Sequence, residues 1–237
     1  MPEDRAHSIG TENETSLHAA LKHYIDPDPA HHEVPAAGHI ADVLNDGGAY
    51  EIQTRGFYRL RAKVGRLLEF GPVTVVYPAA AEKRLFWIDP ETGDCTEGRK
   101  SSKRCTRCSF WTELPALAEF LGNPRFAARI LLLELDEYRM LDGRGASKKA
   151  RATHVDRVLR GIRDDYTVRT PDDLLGLLPE GLPERFTSLD FSKAAHIPRA
   201  SAQAALRVLY AHGLAGRESG ERRGYIYKIQ PKRSEHP

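Results

Sequence analysis

Hydrophobic and polar positions change period several times along the chain, and each change marks an element. Leu17, Ala20, Leu21 and Tyr24 recur at helical spacing behind Thr11-Glu12-Asn13-Glu14, which fits a capping box. Asp26-Pro27-Asp28-Pro29 stops that helix, because proline lacks a donor and clashes with the preceding turn. A short strand is expected near His32 to Ala36. From Ile40 the chain runs into Asn45-Asp46-Gly47-Gly48, then alternates over Tyr50, Ile52 and Thr54. Asp-Gly between two β-prone runs signals a hairpin. Counting outward from a two-residue turn at Asp46-Gly47 sets Asn45 opposite Gly48 and Asp42 opposite Glu51. Phe57, Leu60, Val64, Leu67 and Leu68 form the stripe of a second helix, with Arg59, Lys63 and Arg66 beside it. Gly71-Pro72 ends that helix. The continuous run Val73 to Tyr77 then predicts a buried strand, parallel to an earlier one because a helix precedes it.

The second half is patterned less regularly. Lys83 to Ile88 and Thr96 to Lys100 predict a further hairpin around Asp89-Pro90-Glu91-Thr92-Gly93. Phe110 to Leu121 reads as a helix, Arg129 to Tyr138 as a strand, and His154 to Arg163 and Pro171 to Leu178 as helices. From Thr187 the pattern is helix (to Ala195), turn (His196 to Arg199), stronger helix (Ala200 to His212, inner face Ala204, Ala205, Val208 and Leu209), then two β-prone pieces flanking Glu218 to Arg223. Helix, turn, helix and a basic-tipped hairpin is the layout of a winged helix-turn-helix. The expected division is an α/β domain at 11–142, a basic linker with helices at 143–183, and a winged helix domain at 184–230 that folds on its own.

Composition narrows the class. With 237 residues, 41% hydrophobic and 29% charged, the chain is long enough for one large domain and a small one. A net charge of +2 gives no global case for a nucleic-acid partner, so local basic clusters must carry it. No apolar run approaches a membrane span, and the N-terminal stretch lacks a signal-peptide core. Three cysteines, an odd number, fit a reducing cytoplasm. Cys105 and Cys108 have zinc-knuckle spacing with Cys95 upstream, but a fourth ligand is missing.

The chemistry concentrates at the first hairpin. Two carboxylates facing each other across a ladder repel, and a hard divalent cation such as Mg²⁺ or Mn²⁺ would remove that cost. Relieving the pair by mutation is therefore expected to leave stability unchanged or raise it. Glu14 on the first helix, Asp42 on the second strand and Glu51-Ile52-Gln53 on the third resemble the PD-(D/E)xK nuclease superfamily. Asn13-Glu14-Thr15-Ser16-Leu17-His18 and Glu51-Ile52-Gln53-Thr54 also resemble an uncharacterised prokaryotic family with that core. The resemblance covers roughly residues 12–78. It implies a mixed-sheet, restriction-endonuclease-like fold and metal-dependent hydrolysis of DNA, with Glu14, Asp42 and Glu51 as metal ligands.

Gln53 stands where the superfamily has lysine. Glutamine positions a water but supplies no charge. The resemblance implies that Gln53 manages the water or that Lys63, from the following helix, takes over. A non-catalytic DNA-binding or regulatory protein with a degenerate core is the alternative. Each residue also has a plainer role: Glu14 as the acid of a capping box, Lys63 as an exposed helix charge, His18 as a half-buried helix residue one turn past Glu14. Arg99, Lys100, Lys103 and Arg104 are candidates for phosphate contact. In the C-terminal module Arg199, Gln203 and Arg207 would read bases, and Arg222 and Arg223 would carry the wing's backbone contact. DNA is the expected partner, with a homodimer left open and no membrane.

Overall fold

The computed structural model describes residues 16–143, 152–220 and 224–230. Helix α1 (Ser16–Ile25) leads into β1 (His32–Ala36), β2 (His39–Asn45) and β3 (Gly48–Ile52). A 3-10 turn at Phe57–Arg59 opens α2 (Arg61–Phe70), which returns the chain to the long strand β4 (Val73–Ile88). The two-residue β5 (Arg99–Lys100) folds back on β4. Two 3-10 segments, Arg107–Thr112 and Leu114–Phe120, precede β6 (Phe126–Met140) and β7 (Thr153–Val168). A third, Pro171–Leu177, leads to α3 (Ser188–Ala195), α4 (Arg199–Ala211) and the hairpin β8 (Ala215–Ser219) and β9 (Tyr225–Ile229).

The sheet order is β1-β2-β3-β4-β6-β7, with β5 beside β4. It is mixed: β4 runs parallel to both β3 and β6, and the remaining pairs are antiparallel. The parallel pairing of β3 and β4 follows from α2 as crossover. The protein is thus α/β with a mixed sheet. Among the described residues no helix is long and apolar enough to cross a membrane.

The first hairpin has the expected register, Asn45 opposite Gly48 and Val43 opposite Tyr50. Its turn is built differently. Neither Asp46 nor Gly47 takes a positive φ, whereas Gly48 does, at 108°, so this is not the type I′ turn that Asp-Gly favours. A Cβ on Gly48 would lie 2.3 Å from the Pro72 carbonyl oxygen. That carbonyl accepts from the Ala49 N–H at 2.9 Å. Only glycine permits both the dihedral and the approach. Asn45 caps the turn by accepting from the Gly47 N–H, and its amide donates to Asp26 at 2.8 Å, which ties the hairpin to the end of α1.

Apolar residues pack on both faces of the sheet. On one face Leu17 and Leu21 of α1 cover Ile52, Val76, Leu131, Leu133 and Leu135. On the other, Val64, Leu67 and Leu68 of α2 join Phe110, Trp111, Leu114 and Leu117. This second core continues without a break into Phe186, Phe191, Ala205, Leu206 and Leu209 of the C-terminal helices. The Trp111 and Phe191 rings meet edge-on at 6.4 Å, and the indole N–H donates to the Leu177 carbonyl at 2.8 Å.

Two expectations need correction. His154 to Arg163 lies within strand β7, so the 143–183 stretch is not a helical linker. Its apolar residues Val155, Val158, Leu159 and Ile162 imitate helical spacing because the β6–β7 ladder shifts register three times, and each bulge dephases the alternation. Phe110 to Leu121 is two 3-10 segments rather than one α-helix. Pro115 stands in the first turn of the second, and the Glu113 carboxylate is turned away to cap the Gly56 and Phe57 N–H groups at 2.9 and 3.1 Å. The short helix expected at Pro171 to Leu178 is present as the 3-10 segment Pro171–Leu177.

Where β4, β6 and β7 run on together, acids and bases interlock. Glu137 is fully buried, with Lys83 at 2.8 Å, Arg139 at 2.5 Å and Arg157 at 3.0 Å. Burial alone would raise its pKa. The three cations outweigh that and hold it down at about 2.

Candidate active site

The site forms where backbone pairing of β2 and β3 ends. Beyond Val43–Tyr50 the strands splay, and the Ile52 N–H is taken by the Asp42 side chain, at 2.6 Å from Oδ2. His18 of α1 brings Nε2 to 3.5 Å from the same oxygen. Burial pushes the Asp42 pKa up, but the His18 and Ile52 hydrogen bonds and the Lys63 charge outweigh it and leave it below the ordinary value.

Glu51 is the most buried member, with 4% of its side chain exposed. Lys63 reaches in from the first turns of α2, donating to Glu51 Oε2 at 2.5 Å and to the Ile40 carbonyl at 2.6 Å. Glu113 caps the 3-10 turn that leads into α2, accepting from the Gly56 and Phe57 N–H groups. Glu51 Oε1 is buried with no hydrogen-bond partner among the described residues. Burial raises the Glu51 pKa, Lys63 opposes, and the neighbouring Asp42 charge raises it again, to about 7.

A folded-state pKa of about 7 against an ordinary 4.5 means the folded protein holds an extra proton between those values. The stability Glu51 contributes is present below pH 4.5 and lost as pH rises through about 7. Urea melts at pH 5 and pH 8 are expected to show the parent losing stability relative to Glu51→Gln over that interval. A constant difference between the two proteins at both pH values would contradict it.

The sequence expectations fare unevenly. Asp42, Glu51 and Lys63 come together. Gln53 does not join them: its amide donates to the Arg55 carbonyl at 2.6 Å. Glu14, Arg222 and Arg223 lie outside the described residues. Arg99 stacks over Trp87 at 6.0 Å, Lys100 pairs with Glu82 at 2.7 Å, and Lys103 and Arg104 are exposed. Arg199, Gln203 and Arg207 are all exposed along α4. The cysteines are free, Cys95 exposed and Cys108 buried. Among the described residues no three His, Cys, Asp or Glu side chains are grouped to hold a metal.

Sequence reasoning missed the roles of Glu113 and of the Ile40 carbonyl. A Glu two residues before Pro115 was the one available signal for the first, and nothing in the sequence signals the second.

A family model described as a domain of unknown function, DUF8091, matches residues 15–169. The chain belongs to that family. The DUF8091 match begins beside α1 and ends just after β7, so it takes in the whole mixed sheet and every described residue of the Asp42–Glu51–Lys63 cluster. The chain is also 31% identical over 225 residues to an uncharacterised protein of Treponema pallidum (strain Nichols), covering 94% of this chain and 88% of that relative. An alignment of that length must extend beyond the DUF8091 match into the C-terminal helices. No solved structure matches the chain.

Proposed function

We propose that this protein is a divalent-metal-dependent nuclease that hydrolyses phosphodiester bonds in DNA, working in the cytoplasm of a prokaryotic cell. On this reading the sheet with α1 and α2 is a restriction-endonuclease-like core, and α3, α4 and the β8–β9 hairpin form a winged helix. The observation that carries it is the Glu51 carboxylate. This acid is buried beside a second acid, with one oxygen on Lys63 and the other without a donor among the described residues. A buried unpartnered oxygen is costly, and a hard cation shared with Asp42 would satisfy it.

Asp42 and Glu51 therefore fit Mg²⁺ or Mn²⁺, with Glu14 as the third ligand in the proposal. The cation, when bound, supplies Lewis-acid polarisation of a phosphate and a water of lowered pKa. The chain's own residues do the rest. Asp42 is held in one orientation by the Ile52 N–H and His18. Lys63 fixes Glu51 and brings a positive charge to the cluster. Gln53 is not needed for that charge, since Lys63 carries it from the neighbouring helix.

Incubating the purified chain with duplex DNA, single-stranded DNA and RNA, in Mg²⁺, Mn²⁺ or EDTA, tests the reading. Cleavage of DNA that EDTA stops supports it. Binding without cleavage under any metal would leave the non-catalytic DNA-binding alternative, which the outward turn of Gln53 favours.

At saturating DNA, Lys63→Ala is expected to lower turnover by ~100-fold or more, the scale of losing one positioned catalytic group. Arg59→Ala and Arg66→Ala should change turnover little, because Arg59 lies against Tyr58 and Arg66 is exposed. Equal losses in all three would reduce Lys63 to one of several phosphate-facing charges.

A further inference from the structure

We propose that α2 and α4 present one continuous track for a DNA duplex, so that DNA gripped by the C-terminal helices also runs along α2, the helix that carries Lys63. The proposal rests on the nuclease reading above and names how its substrate is held.

Two observations carry it. The first is mechanical. Phe57, the residue that opens the turn into α2, packs edge-on against Phe110 at 5.7 Å and Tyr77 at 5.9 Å. Trp111 follows Phe110 and packs on Phe191 of α3, which in turn meets Phe186 at 6.2 Å. A row of buried rings thus runs from the root of the site helix to the root of the C-terminal helices. Close-packed interiors transmit position rather than yield, so α2 and α4 are held in one fixed relation.

The second is the surface above that row. One cleft lies between α2 and the 3-10 segment Leu114–Phe120, with Tyr58, Arg59, Arg66, Glu69 and Glu119 among its walls. Another lies between the same 3-10 segment and α4, with Glu119, Ala204, Arg207 and His212. Glu119 belongs to both, so the two clefts join there. Cations flank the join on both sides: Arg59, Arg61 and Arg66 on α2, Arg207 on α4, with Arg199 and Gln203 continuing the α4 stripe. Arg61 holds Glu119 through two hydrogen bonds at 2.7 and 2.9 Å, yet both side chains are about half exposed. A phosphate is the natural competitor of that carboxylate for a guanidinium. The ligand that fits is a stiff one. Duplex DNA stays straight over roughly 150 base pairs, so a duplex seated on α4 follows the joined clefts, while an exposed helix stripe of Arg and Gln suits its major groove.

The test is binding in EDTA, where a metal-dependent nuclease cannot cut. A fluorescent duplex is titrated with the full chain at several salt concentrations. Arg59→Ala with Arg66→Ala, at one end, and Arg207→Ala, at the other, are each expected to weaken binding about 3- to 10-fold. Each should also flatten the salt slope by roughly one unit for every phosphate that is no longer neutralised. Glu119→Gln, which removes an acid from the join, is expected to tighten binding about 3-fold. Thermal melts confirm that each variant is folded. If the α2 pair and Glu119→Gln leave affinity and salt slope unchanged while Arg207→Ala lowers both, the track does not cross the join and the proposal falls, with the nuclease reading untouched. Intact track behaviour without cleavage in Mg²⁺ or Mn²⁺ would instead overturn the nuclease reading and leave the track standing.

Discussion

Asp42→Asn and Glu51→Gln are expected to abolish metal-dependent DNA cleavage, with turnover down by at least ~100-fold, while the fold survives. Each removes an anionic oxygen that would face the cation. Each also keeps the shape and an acceptor for the neighbour: the Ile52 N–H for Asp42, Lys63 for Glu51. The alanine variants should lose cleavage too, but at a cost in stability. Asp42→Ala strands the Ile52 N–H, a buried donor whose loss of partner costs ~1–3 kcal/mol. Among the described residues, Glu51→Ala leaves Lys63, whose side chain is 20% exposed, with the Ile40 carbonyl alone. The expectation drawn from like-charge repulsion alone, that removing either acid is harmless to stability, is thus replaced, because each acid has acquired a partner that depends on it. Cleavage assays beside thermal melts separate the two effects. Parental cleavage by both Asp42→Asn and Glu51→Gln would end the assignment of these residues as ligands.

Phe191→Ala is expected to destabilise the whole molecule by ~3–5 kcal/mol, the usual cost of emptying a fully buried aromatic site. Phe191 is 0% exposed and belongs to the same core as Trp111, Val75 and Leu67. Its loss should lower one cooperative transition, seen alike by far-UV circular dichroism and by tryptophan fluorescence, to which Trp87 and Trp111 both contribute. Two transitions, with the variant moving only one, would show that the C-terminal helices fold as a separate unit. The shared core argues against the independent 184–230 fragment that the local pattern suggests. Removing that fragment would also uncover Trp111, Leu114 and Leu117, all 0% exposed in the intact chain.

Much of the local structure was legible in the sequence because local causes produce it. The Asp-Pro-Asp-Pro stop after α1, the hairpin register around Gly48, the α2 stripe and the parallel strand after it all follow from short-range sterics and periodicity. The Thr187 cap of α3 and the outward stripe on α4 do as well: Thr187 and Asp190 form the reciprocal capping box, and Arg199, Gln203 and Arg207 are exposed. The hairpin count also brings Asp42 near Glu51, although the ladder itself ends at Val43–Tyr50 and Asp42 reaches the Ile52 N–H through its side chain.

Tertiary structure decided the rest. Strand β7 looked helical because its bulges answer to the register of β6, a partner the local pattern does not contain. The 3-10 segments at 107–120 are bent by Pro115 and by the distant groups that Glu113 caps. Lys63 meets Glu51 only because α2 packs beside β3, and the 3-10 turn that leads into α2 is capped by Glu113 from more than fifty residues away. That the C-terminal helices share a core with the sheet depends on Trp111 meeting Phe191. Sequence determines what each short stretch prefers. Contacts between stretches far apart in the chain determine which side chains share a dry site, and here those contacts bury Glu51 beside Asp42 and Lys63.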